Sequence, residues 1–154
     1  MAQKALNLED IVAGNIIQTK GIGSMTWLKD GERYSRLENN KQTGGTDIVA
    51  YRAKDNSREV IIPSSLLTDK STGRPIPVRS VSWSADNEKV LIYNNTRRVW
   101  RYDTRGDYWV LNLKDGALRQ LGKGMPESSM MFAKFSPDGT RVAYVSNNNI
   151  YVED

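Results

Sequence analysis

The side chains best suited to ligand binding in this sequence lie between residues 94 and 109, in the stretch NNTRRVWRYDTRGDYW. Four arginines occur here beside tryptophan and tyrosine: Arg97, Arg98, Arg101 and Arg105. A guanidinium is planar, always charged and carries several donors, so it can hold a carboxylate or a carbonyl oxygen. The residues alone leave a second interpretation open, in which a solvated hairpin pairs these arginines with Asp103 and Asp107.

The residue types needed for most nucleophilic and metal-dependent catalysis are missing. The 154 residues include no histidine and no cysteine, and no Gly-x-Ser-x-Gly nucleophile elbow occurs. Without an imidazole there is no base for Ser-His-Asp or Cys-His catalysis, and zinc sites built on these residues are excluded. We therefore predict no catalytic residue, no metal site and no cofactor, and we expect the chain to be inactive as an enzyme by itself.

The elements that must position the arginines are indicated by a phrase that occurs three times. The copies are TWLKDGERYSRL at 26–37, SWSADNEKVLIY at 82–93 and KFSPDGTRVAYV at 134–145. Each has an aromatic residue three positions before an aspartate, followed by alternating apolar residues, and the copies recur after a little over fifty residues. This period with strand-like content is typical of a β-propeller, in which each repeat is one four-stranded antiparallel blade.

The repeat predicts an all-β fold, a partial β-propeller of about two and a half to three blades. We expect a short N-terminal arm or helical turn over 1–20, blade one over 21–63, a connector over 64–79, blade two over 80–122 and an incomplete blade three over 129–154. The connector is interpreted as an ordinary polar loop. Because a propeller needs at least four blades to close, we expect the chain to be part of a longer protein.

The residues that recur in every copy favour structural roles. The aspartates Asp30, Asp86 and Asp138 lie at the same strand junction, where Asp bonds its own backbone in a turn. The aromatics Trp27, Trp83 and Phe135 are predicted to fill the core between blades. Asparagine tracts follow the second strand of each copy, at 39–40, 94–95 and 147–149, where tight hairpins need left-handed backbone.

The second copy departs from the pattern. The distance from the blade aromatic to the third strand is longer in blade two than in blades one and three, and the excess lies within 94–109. Loops that project from a rigid scaffold are where binding residues collect. We therefore expect a projecting loop that carries Trp100 and Arg101.

At this loop the sequence resembles the N-terminal β-propeller of the dipeptidyl peptidase IV family, serine exopeptidases of the prolyl oligopeptidase clan. The matching stretches are Tyr93-Asn94, Trp100-Arg101 with the Tyr108, Leu111 and Leu113 that follow, and AKFSPDGTRVAYVSNNNIYVED from 133 to 154. The start, LEDIVAGN and later SMTWLKDGERY, is similar to bacterial members.

The resemblance implies a propeller that caps a C-terminal α/β-hydrolase domain and gates its active site. It implies that Arg101, supported by Trp100, contacts the bound peptide substrate. The parent enzyme would remove N-terminal dipeptides or tripeptides after proline or a small residue. In the family, the paired glutamates that hold the substrate amine and the catalytic triad lie beyond the residues present here.

Other interpretations of function stay open. A TolB-like or other non-enzymatic propeller would scaffold protein partners, and a chain with open blades could self-associate. The net charge of +4 comes from scattered basic residues, so no nucleic-acid partner is expected. The opening MAQKALNLEDIVAGNIIQ shows no signal peptide and no stretch approaches a membrane span, although the resemblance implies a periplasmic or cell-surface parent.

Overall fold

Alternating apolar residues in the three repeats form antiparallel strands. The structure, a computed structural model, describes residues 7, 8, 12, 21 and 23–154. The arm expected over residues 1–20 therefore lies outside the described residues, apart from residues 7, 8 and 12. The described residues form three main sheets, which we call blade one, blade two and blade three in chain order.

Blade one is a four-stranded sheet in which each strand pairs with the next along the chain. Its strands are β1 (Met25–Trp27), β2 (Arg33–Asn39), β3 (Thr46–Arg52) and β4 (Arg58–Ile62). The period-2 alternation of β-branched and aromatic residues favours these strands, and Pro63 follows the last one because proline cannot donate to a ladder. The four strands expected of a blade are all present.

The connector between blades one and two is more ordered than predicted. It contains a 3₁₀-helix, Ser64–Leu67, and a small two-stranded ribbon of β5 (Thr68–Asp69) and β6 (Arg74–Pro75). Leu67 and Ile76 are buried. The interpretation as an ordinary polar loop is wrong because these apolar side chains fold the segment back onto the core.

Blade two repeats the four-stranded order and contains the longest strands. Its strands are β7 (Ser80–Trp83), β8 (Lys89–Val99), β9 (Tyr102–Asn112) and β10 (Leu118–Gln120). Blade three has three strands among the described residues: β11 (Met131–Phe135), β12 (Val142–Ser146) and β13 (Asn149–Glu153). Among the described residues, blade three thus has one strand fewer than blades one and two.

Two apolar clusters hold the blades together. Ile48 and Ile62 of blade one pack with Val90, Ile92 and Leu111 of blade two. The second cluster joins blades two and three through Leu91, Tyr108, Val110, Leu121, Met130, Val142 and Tyr144. Because the side chains of one strand alternate between faces, blade two supplies Val90 and Ile92 to one cluster and Leu91 to the other. Blade two is therefore fixed on both faces.

The repeated aspartates close the turn between the first two strands of each blade, as predicted. Asp30 Oδ1 accepts from the backbone N–H groups of Glu32 and Arg33, and Asp86 Oδ1 accepts from that of Glu88. Asp138 Oδ1 accepts from Ser136 Oγ at 2.5 Å and from the Thr140 backbone N–H at 3.0 Å. The Ser136 hydroxyl and the Thr140 donors lower the pKa of Asp138 to about 2.

The three repeated aromatics do not share one environment. Trp83 packs against the cluster between blades one and two, and Phe135 against the cluster between blades two and three. Trp27 is 60% exposed and makes an edge contact with Tyr34. The prediction of Trp27 as core between blades is wrong. Trp83 and Phe135 each pack towards the preceding blade. Trp27 lacks such a neighbour, because among the described residues no sheet precedes blade one.

Candidate functional site

The stretch 94–107 is a β-hairpin that extends beyond its own blade. Strands β8 and β9 are each 11 residues long, but β7 pairs only with residues 90–93 and β10 only with residues 109–111. Among the described residues, the outer half of the β8–β9 pair therefore has no neighbouring strand apart from a single bridge between Gly106 and Met130. The sequence predicted a projecting loop here. The projection is present, but the chain continues as paired strands with bulges near Arg97.

Trp100 and Arg101 form the tip of this hairpin. Val99 pairs with Tyr102, and the two residues between them make the turn. Trp100 is 95% exposed and has a φ of 61°. A bulky side chain in left-handed backbone is strained, and such residues concentrate where a site needs a particular geometry. An Arg98 guanidinium nitrogen lies 3.5 Å from the Arg101 carbonyl oxygen.

The arginines of the hairpin are not neutralised by nearby acids. Arg97 and Arg105 are both exposed and lie directly opposite each other, an unfavourable like-charge pair. Asp103 pairs instead with Arg79, at 3.4 Å from its guanidinium. Among the described residues, no ion pair involves any of the four hairpin arginines. The alternative interpretation is therefore wrong about pairing with Asp103 and Asp107, although the stretch is an exposed hairpin, as that interpretation expected.

The foot of the hairpin is held by a buried carboxylate, which we call the Asp107 clamp. Asp107 is 6% exposed, and its two oxygens accept from Asn95 Nδ2 and the Ser128 backbone N–H, each at 2.7 Å. Ser128 Oγ donates in turn to the Asn95 carbonyl oxygen at 2.5 Å. The clamp thus ties β8, β9 and the segment between blades two and three together. Sequence reasoning assigned Asp107 a different partner and missed Ser128.

Close ring packing also fixes the foot. The Tyr93 ring stacks on Tyr108 with centroids 4.8 Å apart, and its hydroxyl donates to the Asp103 carbonyl oxygen at 3.0 Å. Burial raises the pKa of Tyr93 to about 12, so it stays protonated and can donate at neutral pH. Gly106 lies beneath this ring, where a Cβ would approach Tyr93 Cε2 to 2.4 Å. Gly106 also exchanges two backbone hydrogen bonds with Met130.

A groove of about 580 Å³ runs beside the foot of the hairpin. It is lined by Pro77, Val78, Arg79, Asn94, Asn95 and Thr96. Asn94 is buried, and its Oδ1 has no hydrogen-bond partner within the described part of the chain.

The exposed hairpin presents mainly arginine and aromatic side chains. Among the residues that the structure describes, no three His, Cys, Asp or Glu side chains converge in a way that could hold a metal ion. Within the same residues, no helix is both long enough and apolar enough to cross a bilayer. The chemistry available at the hairpin is hydrogen bonding and charge from arginine, with apolar contact from the tryptophan.

Comparison with known proteins connects this hairpin to a family. Residues 84–154 match the family model described as the dipeptidyl peptidase IV (DPP IV) N-terminal region. The match includes the whole projecting hairpin and all of blade three. It therefore covers the part of the chain that departs from a simple repeat.

Curated relatives share the name dipeptidyl-aminopeptidase B. The chain is 27% identical over 124 residues to the probable dipeptidyl-aminopeptidase B of Aspergillus oryzae, covering 80% of this chain and 13% of that protein. It is also 27% identical over 152 residues to dipeptidyl aminopeptidase B of Saccharomyces cerevisiae, covering 92% of this chain and 17% of that protein. The chain thus spans less than a fifth of the length of these relatives.

A solved structure supports the same fold. The chain aligns with dipeptidyl peptidase 4 of Porphyromonas gingivalis with a TM-score of 0.69 and 21% identity, over 99% of this chain and 20% of that one. The predicted partial β-propeller is confirmed by this likeness and by the antiparallel sheets. The family-model match, these relatives and this solved structure together make the chain similar to the N-terminal propeller region of dipeptidyl peptidase IV family proteins.

Proposed function

We propose that this chain is the propeller portion of a longer serine exopeptidase of the dipeptidyl peptidase IV type. The whole protein would remove N-terminal dipeptides or tripeptides after proline or a small residue. The names of the relatives support a dipeptidyl peptidase, and their greater length leaves room for a C-terminal α/β-hydrolase domain. In this proposal the propeller gates that domain and positions the peptide substrate.

Arg101 is the residue that would contact the substrate, with Trp100 as its support. The observation that carries this role is an arginine at the exposed tip of a hairpin whose foot is clamped and whose guanidinium groups have no acidic partner among the described residues. A fixed guanidinium can donate to a peptide carbonyl or carboxylate and so align the scissile bond with a nucleophile on the other domain.

Kinetics of the full-length protein test this role. A hydrogen bond to a charged group contributes about 1.5–3 kcal/mol, so Arg101→Ala should raise KM for a Xaa-Pro peptide by about 10- to 100-fold. Arg105→Ala is the matched control, because Arg105 is exposed on the stem of the same hairpin and has no role in the proposal. Unchanged kinetics in Arg101→Ala, or equal losses in both variants, would contradict the role of Arg101.

The catalytic assignment has its own test. The full-length protein should release dipeptides or tripeptides from Xaa-Pro substrates and lose this activity on treatment with a serine-directed phosphonate. The 154-residue chain alone should show none. A full-length protein with no peptidase activity that instead retains protein partners would favour the scaffold alternative.

The same proposal places the full-length protein in the periplasm or at the cell surface, which cell fractionation tests. Self-association of the isolated chain through the open edge of blade three is a further part of it. Light scattering of the isolated chain over a range of concentrations tests this, and a constant monomer mass would overturn it.

A further inference from the structure

The Asp107 clamp lies where the four-stranded part of blade two ends and the projecting part of the β8–β9 hairpin begins. We propose that Asp107 is a positioning residue, which fixes the direction of the hairpin and thereby the location of Arg101. This inference rests on the proposed role of Arg101 in substrate binding. It adds a residue that touches no substrate and acts through the backbone of the hairpin.

The same clamp occurs in blade one, where nothing projects. Asp47 is 8% exposed and accepts from the Ser64 backbone N–H at 2.7 Å and from Asn40 Nδ2 at 3.0 Å. The donors correspond one by one: each carboxylate accepts from an asparagine side-chain amide and from a serine N–H that follows the fourth strand. In blade one the clamp closes a short loop, in which the Asn40 N–H donates to the Gly45 carbonyl at 2.8 Å. In blade two it precedes a long extension.

The backbone at the blade-two clamp is strained on both sides. Asn95 has a φ of 42° and Ser128 a φ of 53°, and these two residues are bonded to each other as well as to Asp107. Left-handed backbone at non-glycine residues persists only where surrounding contacts hold it. The buried carboxylate supplies those contacts, so the bulge at Asn95 is held in one geometry.

The length of the hairpin makes the tip sensitive to its foot. Arg101 lies six residues beyond Asn95, about 20 Å along an extended strand, so a rotation of about 10° at the foot would move the tip by about 3 Å. A displacement of about 1 Å is enough to weaken a substrate contact severely. Beyond the Gly106–Met130 bridge, no strand among the described residues pairs with the outer hairpin and restrains such a rotation.

The test compares Asp107→Asn with Asp47→Asn in the full-length protein. Both variants place an amide where two donors converge, so both leave a donor unpaired. We expect Asp107→Asn to raise KM for a Xaa-Pro peptide by 5- to 50-fold with little change in kcat, and Asp47→Asn to leave KM unchanged. Equal KM values in the two variants would overturn the proposal.

A double-mutant cycle shows whether Asp107 acts through Arg101. In an Arg101→Ala background, Asp107→Asn should change KM by less than twofold, because the contact that it positions is already gone. A full additional loss in that background would show that Asp107 affects binding by another route and would contradict the inference.

Hydrogen exchange gives a readout that needs no activity. Amide exchange over residues 97–104 should accelerate about tenfold in Asp107→Asn and stay unchanged in Asp47→Asn. If Asp107→Asn does not fold, Asn95→Gly replaces it, since glycine accepts the positive φ and only the side-chain donor is lost. Unchanged amide exchange in the folded variant would show that the Asp107 hydrogen bonds do not hold the hairpin, and would overturn the proposal.

The remaining outcomes separate this inference from the proposed function. Faster exchange without a rise in KM would show that Asp107 has a structural role only. A wild-type protein without peptidase activity would contradict the proposed function, but the exchange result would still apply.

Discussion

Blades one and two are built from the same repeat and differ at one hairpin. In blade one, β2 ends at Asn39 and β3 begins at Thr46, and a short loop joins them. In blade two the corresponding strands continue to Val99 and Tyr102, well past the strands that flank them. Each blade has a buried aspartate at this point with matching donors. The clamp is therefore common to blades one and two, whereas the extension beyond it is an addition in blade two.

The largest change in the free energy of unfolding is expected for substitutions in the core, in contrast to substitutions in the extension of β8 and β9. Ile48 in blade one and Ile92 in blade two are fully buried in the same cluster, so Ile48→Ala and Ile92→Ala should each lower the free energy of unfolding by about 2–5 kcal/mol. Tyr102→Ala, at a residue 73% exposed on the extension, should change it by about 0.5 kcal/mol or less. Urea unfolding of the three variants measures this. A loss at Tyr102 as large as at Ile92 would mean that the extension is part of the folded core.

A smaller effect is expected at the strained tip. Left-handed backbone costs a side-chain-bearing residue about 1–2 kcal/mol, and glycine avoids most of this at some entropic cost. Trp100→Gly should therefore stabilise the protein by about 0.5–1 kcal/mol while raising KM in the full-length protein. Tyr102→Gly is the control, because extended backbone gains nothing from glycine. Greater stability with unchanged KM would show that Trp100 does not support Arg101.

The smallest effect on stability is expected from the turn aspartates, which recur in all three blades. Hydrogen bonds from Arg33 and Ser84 side chains and nearby backbone lower the pKa values of Asp30 and Asp86, and that of Asp138 falls from its ordinary 3.8 to about 2. A depressed folded-state pKa stabilises the protein above the ordinary value, and this contribution is lost as pH falls towards about 2. The free energy of unfolding should therefore decrease between about pH 4 and pH 2.

Substitution of the turn aspartates tests that assignment. Asp30→Asn and Asp86→Asn should each flatten the acid dependence of unfolding, because each carboxylate accepts from a side-chain donor and from the backbone N–H two residues further along. Urea titrations at pH 6 and pH 2.5 give the comparison. An acid dependence identical to that of the wild type in either variant would assign the titration to other groups.

The sequence predicted those features that depend on local patterns. Period-2 alternation located nearly all strands of the blades, and the aspartate turns followed from short-range backbone chemistry. The extension was predicted as a loop because its arginines obscured a strand signal that Thr96, Val99 and Tyr102 carry. The connector was predicted as a loop because its prolines and small residues outweighed Leu67 and Ile76, which are buried only once two blades pack together.

The clamp could not be found by spacing. Asn40 and Asp47 are seven residues apart, whereas Asn95 and Asp107 are twelve apart, and the third partner in each case is a backbone N–H of a distant serine. The environment of Trp27 could not be predicted from spacing either. Its position in the repeat matches that of Trp83 and Phe135, but its exposure depends on which sheet lies beside it. Tertiary neighbours decide both features.

The most direct measurement is a structure of the full-length protein with a bound, non-cleavable Xaa-Pro peptide. The account predicts an Arg101 guanidinium nitrogen at about 2.7–3.2 Å from a carbonyl or carboxylate oxygen of the peptide, with the Asp107 clamp intact at the foot of the hairpin. A peptide bound away from the hairpin, with the Arg101 guanidinium in solvent, would contradict it.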